Sequence, residues 1–299
     1  MPPFIHTVSE SWEFPIGLTL TFVLTASVYF RGWLRLRSTV PNLIPAWRVG
    51  SLLVGLFSIW VAVGSPLATC DEGSLTVHMI QHLLLMTVGP PLIWLGAPLM
   101  PLLHGLPSAV VQRILGPVLR RPQVQCFARV VGQPAFCWFA AAAALVGWHV
   151  PAAFKLALQS EAWHIVEHAS FLAAGLLFWW RPVQPWPSVP IWPRWSILLY
   201  LFLATLPCDI LSAFLVFCDR VVYPVYLSTP NHFGISALED QQCAGALMWT
   251  CVTIIYLLAA TIIATRLLST RSSRDCQSIQ PGSPAGVSPG TRQQSMEVV

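Results

Sequence analysis

Two pairs of histidines, His78/His82 and His164/His168, each open a long apolar run, and a fifth histidine, His149, closes another. In a helix, positions four apart lie on one face about one turn apart. Each pair therefore aims two imidazoles at one point. Imidazole binds copper, zinc, iron and nickel, and an ionisable or metal-binding group at the edge of hydrocarbon is costly unless it has a use. Two pairs and a fifth histidine point to a metal site assembled from several helices. The plain alternative for either pair alone is interhelical hydrogen bonding. His6, His104 and His232 fall outside the apolar runs and read as surface residues.

Met86 follows His82 by four residues, so His78, His82 and Met86 share a face, and Met248 lies two turns into the last apolar run. Thioether donors favour Cu(I) and lean the choice of metal toward copper, although methionine is also a common packing residue. The segment His164-Ile-Val-Glu167-His168 matches H-x-x-E-H as well, in which two histidines bind zinc and the glutamate is a general base. That reading needs a third acidic ligand, such as Glu239 or Asp240. A bis-histidine haem protein, with one axial ligand from each of two facing helices, is the other rival.

The elements that must hold these residues follow from composition. The chain is 55% hydrophobic and 9% charged, against roughly 25% charged residues in a soluble domain. Only helices and closed barrels span bilayers, and the runs are too long and unbroken for barrel strands. The expected fold is an all-α polytopic membrane protein with seven transmembrane helices, at 15–30, 46–63, 75–95, 133–150, 163–180, 195–217 and 242–267. Pro90 and Pro91 should kink the third. No basic stripe stands outside the runs, so nucleic acid is not an expected partner; the lipid bilayer is.

Loop charges alternate in sign. Glu10 and Glu13 precede the first run, and Arg31, Arg35, Arg37 and Arg48 follow it; Asp71 and Glu72 come next, then Arg113, Arg120, Arg121 and Arg129. Lys155 and Glu161 precede Arg181 and Arg194, and Asp219, Arg220, Glu239 and Asp240 precede Arg266, Arg271 and Arg274. Because Lys and Arg accumulate on the cytoplasmic side, the N-terminus is expected outside and the C-terminus in the cytoplasm. All five histidines then lie in one outward-facing layer, joined by Asp240, Gln241 and, if the sixth run places it there, Asp209. Asp240 is placed to orient a histidine through its second ring nitrogen, and intramembrane acids such as Asp209 are seldom idle. Residues 1–267 form one membrane domain. Residues 268–299, rich in Ser, Pro, Gly and Gln, read as a disordered cytoplasmic tail. Segment 106–121 is a candidate amphipathic interfacial helix. The eight cysteines include no C-x-x-C; Cys70 and Cys218 fall in loops, and their pairing is left open.

Four segments, HMIQHLLLMTVGPPLIWLGAP, WHVPAAFKLAL, WHIVEHASFLAAGLLFWW and LEDQQCAGALMW, resemble the multi-span CtaG family. Its members are assembly proteins for cytochrome c oxidase of the caa3 type. The resemblance covers roughly residues 15–267. It implies a multi-pass protein of the bacterial plasma membrane that is not an enzyme, acts with cytochrome c oxidase subunits, and works at the copper-supply stage. The matching positions are His78, Gln81 and His82; Trp148, His149 and Pro151; His164, Glu167 and His168; and Asp240, Gln241 and Gln242. The expected ligands are His78, His82, His164 and His168, with His149 as a fifth or supporting group. Glu167, Asp209, Asp240, Gln241 and Met86 are expected in support.

Overall fold

The computed structural model describes Trp12 and residues 14–39, 44–70, 73–184, 193, 195–228 and 233–278, with side chains as far as Ser269. Among them every regular element is helical. In chain order these are α1 (Ile16–Thr39), α2 (Ala46–Gly64), α3 (Leu75–Leu95), α4 (Leu99–Gly105), α5 (Ser108–Leu119) and α6 (Pro122–Val131). There follow α7 (Pro134–Trp148), α8 (Pro151–Gln159), α9 (Glu161–Val183), α10 (Trp195–Phe217), α11 (Val225–Ser228) and α12 (Ala237–Ser278).

Three helical segments, Ala46–Thr69, Trp195–Phe217 and Ala237–Ser269, are long and apolar enough to cross a membrane. Two bent pairs raise this to five if each pair is one crossing: α3 with α4, at 67°, and α6 with α7, at 66°. Helices α1 and α9 have 24 and 23 residues, enough for a bilayer, but carry Arg31, Arg35 and Arg37 in the one and Glu161, Glu167 and Arg181 in the other. The outer faces are apolar: Phe202, Ile210 and Phe217 on α10 stand 63%, 70% and 74% exposed. In a water-soluble domain such faces would be an aggregation liability; in lipid they are the solvated surface.

The expected kink at Pro90 and Pro91 takes the form of one wide turn. Residues Leu84–Val88 form a π-turn inside α3, and the Gly89 amide bonds the Leu84 carbonyl. The Met86 carbonyl would pair with residue 90 in an α-turn or 91 in a π-turn, and both are prolines without an N–H. The Trp179 indole supplies the donor from α9, at 3.1 Å. Helix α9 comes this close because Gly175 faces the turn; a Cβ there would lie 2.7 Å from the Met86 carbonyl oxygen. Most of the segment expected as an interfacial helix is helical, as α5, and it also contains a π-turn, Val111–Leu115, before a Gly-Pro step.

Several expectations fall outside the described residues. They include Glu10, Glu13, Asp71, Glu72 and Arg194 of the charge pattern, His6, His232 and the tail from 279. The helical backbone of α12 runs to Ser278, past the Leu267 boundary drawn from composition. Cys218 is a free thiol, so the Cys70–Cys218 bridge is not made.

Candidate metal centre

The site forms where three helix ends meet. His78 and His82 occupy the first two turns of α3, Glu167 and His168 the second turn of α9, and His149 caps α7. Proline sets the geometry on the α7 side. Pro151 starts α8 two residues after His149, and its missing N–H falls where a helix has no use for one. The short α8 then returns the chain to α9 through Ser160. Trp148 donates its indole N–H to Ser170 at 2.7 Å, and Ser170 donates to the Glu167 carbonyl at 2.7 Å. These two bonds fix the end of α7 beside the site-bearing turn of α9.

Helix α3 is positioned from its N-terminus. Its first amides have no partner inside the helix. Asp240 of α12 accepts from the Leu75 amide at 2.7 Å, the Thr76 amide at 3.3 Å and the Ser74 hydroxyl at 3.0 Å. Asp240 therefore holds the helix that bears His78 and His82. Glu239 closes a capping box on Ser236, its carboxylate accepting from the Ser236 amide and hydroxyl, both at 2.8 Å. Both acids proposed as a third zinc ligand are thus committed to helix ends.

At the centre Glu167 is fully buried, and its Oε1 lies 3.6 Å from His78 Nε2 and 3.5 Å from His82 Nε2. Neither Glu167 oxygen and neither His82 ring nitrogen has a hydrogen-bond partner. His78, His82 and Glu167 each offer one donor atom, all within 4.8 Å of one another. Two ligands on one ion at bonds of about 2.1 Å cannot be more than about 4.2 Å apart, so a small contraction of the side chains would close the group on an ion. A buried carboxylate without hydrogen bonds is expensive. A cation at this point would satisfy the carboxylate and the imidazoles together, so the donor set fits a metal ion.

The other histidines surround this group. The His164 ring centroid lies 5.8 Å from that of His78, and the His168 centroid 5.7 Å from that of His82. The His149 centroid lies 6.1 Å from that of His82. All five expected histidines come together, and Glu167, expected in support, stands inside the donor group. Aromatic rings wall it: Phe171 stacks on His82 at 4.1 Å, and Phe154 meets His78 edge-on at 5.0 Å.

The remaining expected residues sit farther out. Gln241 accepts from the Val222 amide at 2.7 Å and donates to the Arg220 carbonyl at 3.2 Å. That loop brings Tyr223 inward, where its hydroxyl donates to the His149 carbonyl at 3.0 Å. Burial pushes the Tyr223 hydroxyl far up, so it remains a donor. Asp209 is half-buried on α10 and is not in the donor group. Met86 lines a cavity beneath His82 together with Met248 and Cys208. His104 is exposed on α4 and bonds the Met100 carbonyl of its own helix.

Sequence reading missed Met79, whose sulfur lies 3.3 Å from His149 Nε2. Its signal was present, since Met79, His82 and Met86 follow one another at i, i+3 and i+7 on one face. Tyr223 gave no local signal, because a loop residue enters the site only through the tertiary bonds of Gln241.

The sequence model of the family described as "Cytochrome c oxidase caa3 assembly factor" matches residues 27–270. The chain is 25% identical over 276 residues to uncharacterized proteins of Mycobacterium bovis and Mycobacterium tuberculosis, covering 89% of this chain and 40% of each relative. It is 24% identical over 299 residues to an uncharacterized protein of Mycobacterium leprae, covering 93% of this chain and 43% of that one. The chain thus spans about two-fifths of the length of these curated relatives. No solved structure matches it.

Proposed function

This chain belongs to the cytochrome c oxidase caa3 assembly factor family, and from that premise we propose that it holds copper as cargo for an oxidase under construction. The carrying observation is Glu167, fully buried with both oxygens unbonded and one of them facing two histidine nitrogens. Imidazole and carboxylate together suit a divalent ion such as Cu(II) or Zn(II); the assembly role of the family favours copper as the one delivered. His78, His82 and Glu167 bind it, and His164, His168 and His149 form the surrounding shell.

The same premise extends to topology. The three long apolar segments, the two bent pairs, and α1 and α9 together make seven crossings of a bacterial plasma membrane. Arg31, Arg35, Arg37 and Arg48, and then Arg113, Arg120, Arg121 and Arg129, follow the chain ends opposite the histidines, which puts the site on the outward side. The site then lies on the side of the membrane where an oxidase domain outside the cytoplasm can receive the ion. A zinc hydrolase built on H-x-x-E-H is less well supported, because Glu239 and Asp240 cap helices and Glu167 sits among the ligands instead of facing a water-filled cleft.

The test is metal content of the purified full-length chain with oxidase activity of the producing cells. Wild-type protein should carry copper, and His78→Ala/His82→Ala should carry less of it and lose oxidase activity. Surplus copper in the medium should restore part of that activity by mass action. Equal copper in wild type and variant would refute the reading.

A further inference from the structure

A second contact between donor atoms lies outside the carboxylate group. His149 Nδ1 is 2.7 Å from the Leu145 carbonyl oxygen. A carbonyl only accepts, so Nδ1 carries the ring hydrogen and donates it. Nε2 of the neutral ring then presents a lone pair. That lone pair faces the Met79 thioether sulfur at 3.3 Å, and a thioether has no hydrogen to give. Two acceptors thus confront each other in a site where His149 is 5% exposed. Protonating both ring nitrogens would resolve the conflict only by burying an imidazolium with no carboxylate hydrogen-bonded to it, which is costly.

A cation between the two atoms resolves it directly. With bonds of about 2.1 Å to nitrogen and about 2.3 Å to sulfur, the 3.3 Å separation corresponds to an N–metal–S angle of about 100°. That is close to the tetrahedral or trigonal values a soft d10 ion accepts. The contact borders a cavity of about 40 Å³, also lined by Met86, Cys208 and Met248. A water needs roughly 10–15 Å³ by this kind of measure, so an ion with a third ligand has room. Thioether with imidazole selects Cu(I) over the harder divalent ions.

We propose that His149 and Met79 form a separate soft-metal site for Cu(I), distinct from the His78–His82–Glu167 group. It goes beyond the cargo reading above and rests on a different observation, so either can fail alone. Helix α3 would then carry ligands of both sites, with His78 and His82 serving one and Met79 the other.

The experiment loads the full-length protein in detergent anaerobically with Cu(I), against a competing Cu(I) chelator, and reads the copper X-ray absorption fine structure. Wild type should show a sulfur neighbour at about 2.3 Å besides nitrogen. Met79→Leu, a volume-conserving change, should lose that sulfur and bind Cu(I) at least tenfold more weakly. His149→Gln should do the same, and decides the matter if Met79→Leu does not fold. Glu167→Gln should keep the sulfur neighbour even where it abolishes divalent-metal binding, which separates this proposal from the cargo reading. Absence of sulfur in wild type, or an unchanged sulfur shell in either variant, would overturn it.

Discussion

The carboxylate of Asp240 accepts the backbone N–H of Leu75 at 2.7 Å, joining the first turn of α12 to the first turn of α3. A negative group at a helix N-terminus satisfies otherwise unpaired amides and interacts favourably with the helix dipole. Here the group comes from another helix, so one side chain both caps α3 and places its histidines.

Asp240→Ala should therefore destabilise the protein by about 2 kcal/mol, the scale of a charged hydrogen bond and a lost cap. Asp240→Asn keeps one acceptor oxygen and should lose less. Thermal unfolding of the purified chain and its copper content should fall together in this order. A full loss of copper without loss of stability would instead mean that Asp240 is a ligand.

Glu167→Gln should leave the metal-free protein as stable as wild type, or more so, because a buried carboxyl group whose oxygens make no hydrogen bond gives way to an uncharged amide of the same shape. Added metal should then raise the melting temperature of wild type but not of the variant. At a free concentration of 100 times Kd the gain for one site is about 2.7 kcal/mol, and a chelator should reverse it. If the variant gains as much as wild type, the carboxylate is not a ligand.

Two glycines give an internal contrast. A Cβ on Gly175 would lie 2.7 Å from the Met86 carbonyl oxygen, whereas one on Gly147 meets nothing within 4 Å. Gly175→Ala should cost about 1–3 kcal/mol by forcing α9 off α3, and should reduce metal content because Glu167 moves with α9. Gly147→Ala, one turn or less from His149, should be neutral or stabilising by up to about 1 kcal/mol. Equal unfolding temperatures for the two variants would contradict the close approach of α9.

Topology is open to a direct measurement. A reporter active only outside the cytoplasm, fused after Ser278, should be inactive. The same reporter within 229–232 should be active. The reverse pattern would move every histidine to the cytoplasmic side and disqualify the outward handover.

Much of the site was legible in the sequence because helix periodicity is local. The spacing of His78 with His82 and of His164 with His168 fixes which face each ring occupies, whatever the helices pack against. What periodicity cannot show is which of two neighbouring faces wins a contact. Asp240 lies in the histidine layer, as its position at the start of α12 requires, yet its carboxylate turns to the Leu75 amide. Glu167 read as a supporting residue or, in H-x-x-E-H, a general base, but it faces His78 and His82 across the interface. The seven apolar runs all became helices, and the bends between α3 and α4 and between α6 and α7 fall at Gly96-Ala97-Pro98 and Gly132-Gln133-Pro134, local stop signals whose angle the apolar pattern does not give.

The bond from Trp179 to the Met86 carbonyl has a consequence for the histidine–glutamate group on the same two helices. Two packed helices can ordinarily exchange one ridge-into-groove fit for another by slipping a turn, about 5.4 Å. Here α3 offers a carbonyl that neither Pro90 nor Pro91 can reach, and α9 offers an indole to meet it, so slipping a turn would strand both groups. The prolines that interrupt α3 thus act as an index mark between the two helices. The 3.5 Å spacing of His82 and Glu167 therefore depends on Pro90 and Pro91 as well as on the two side chains themselves.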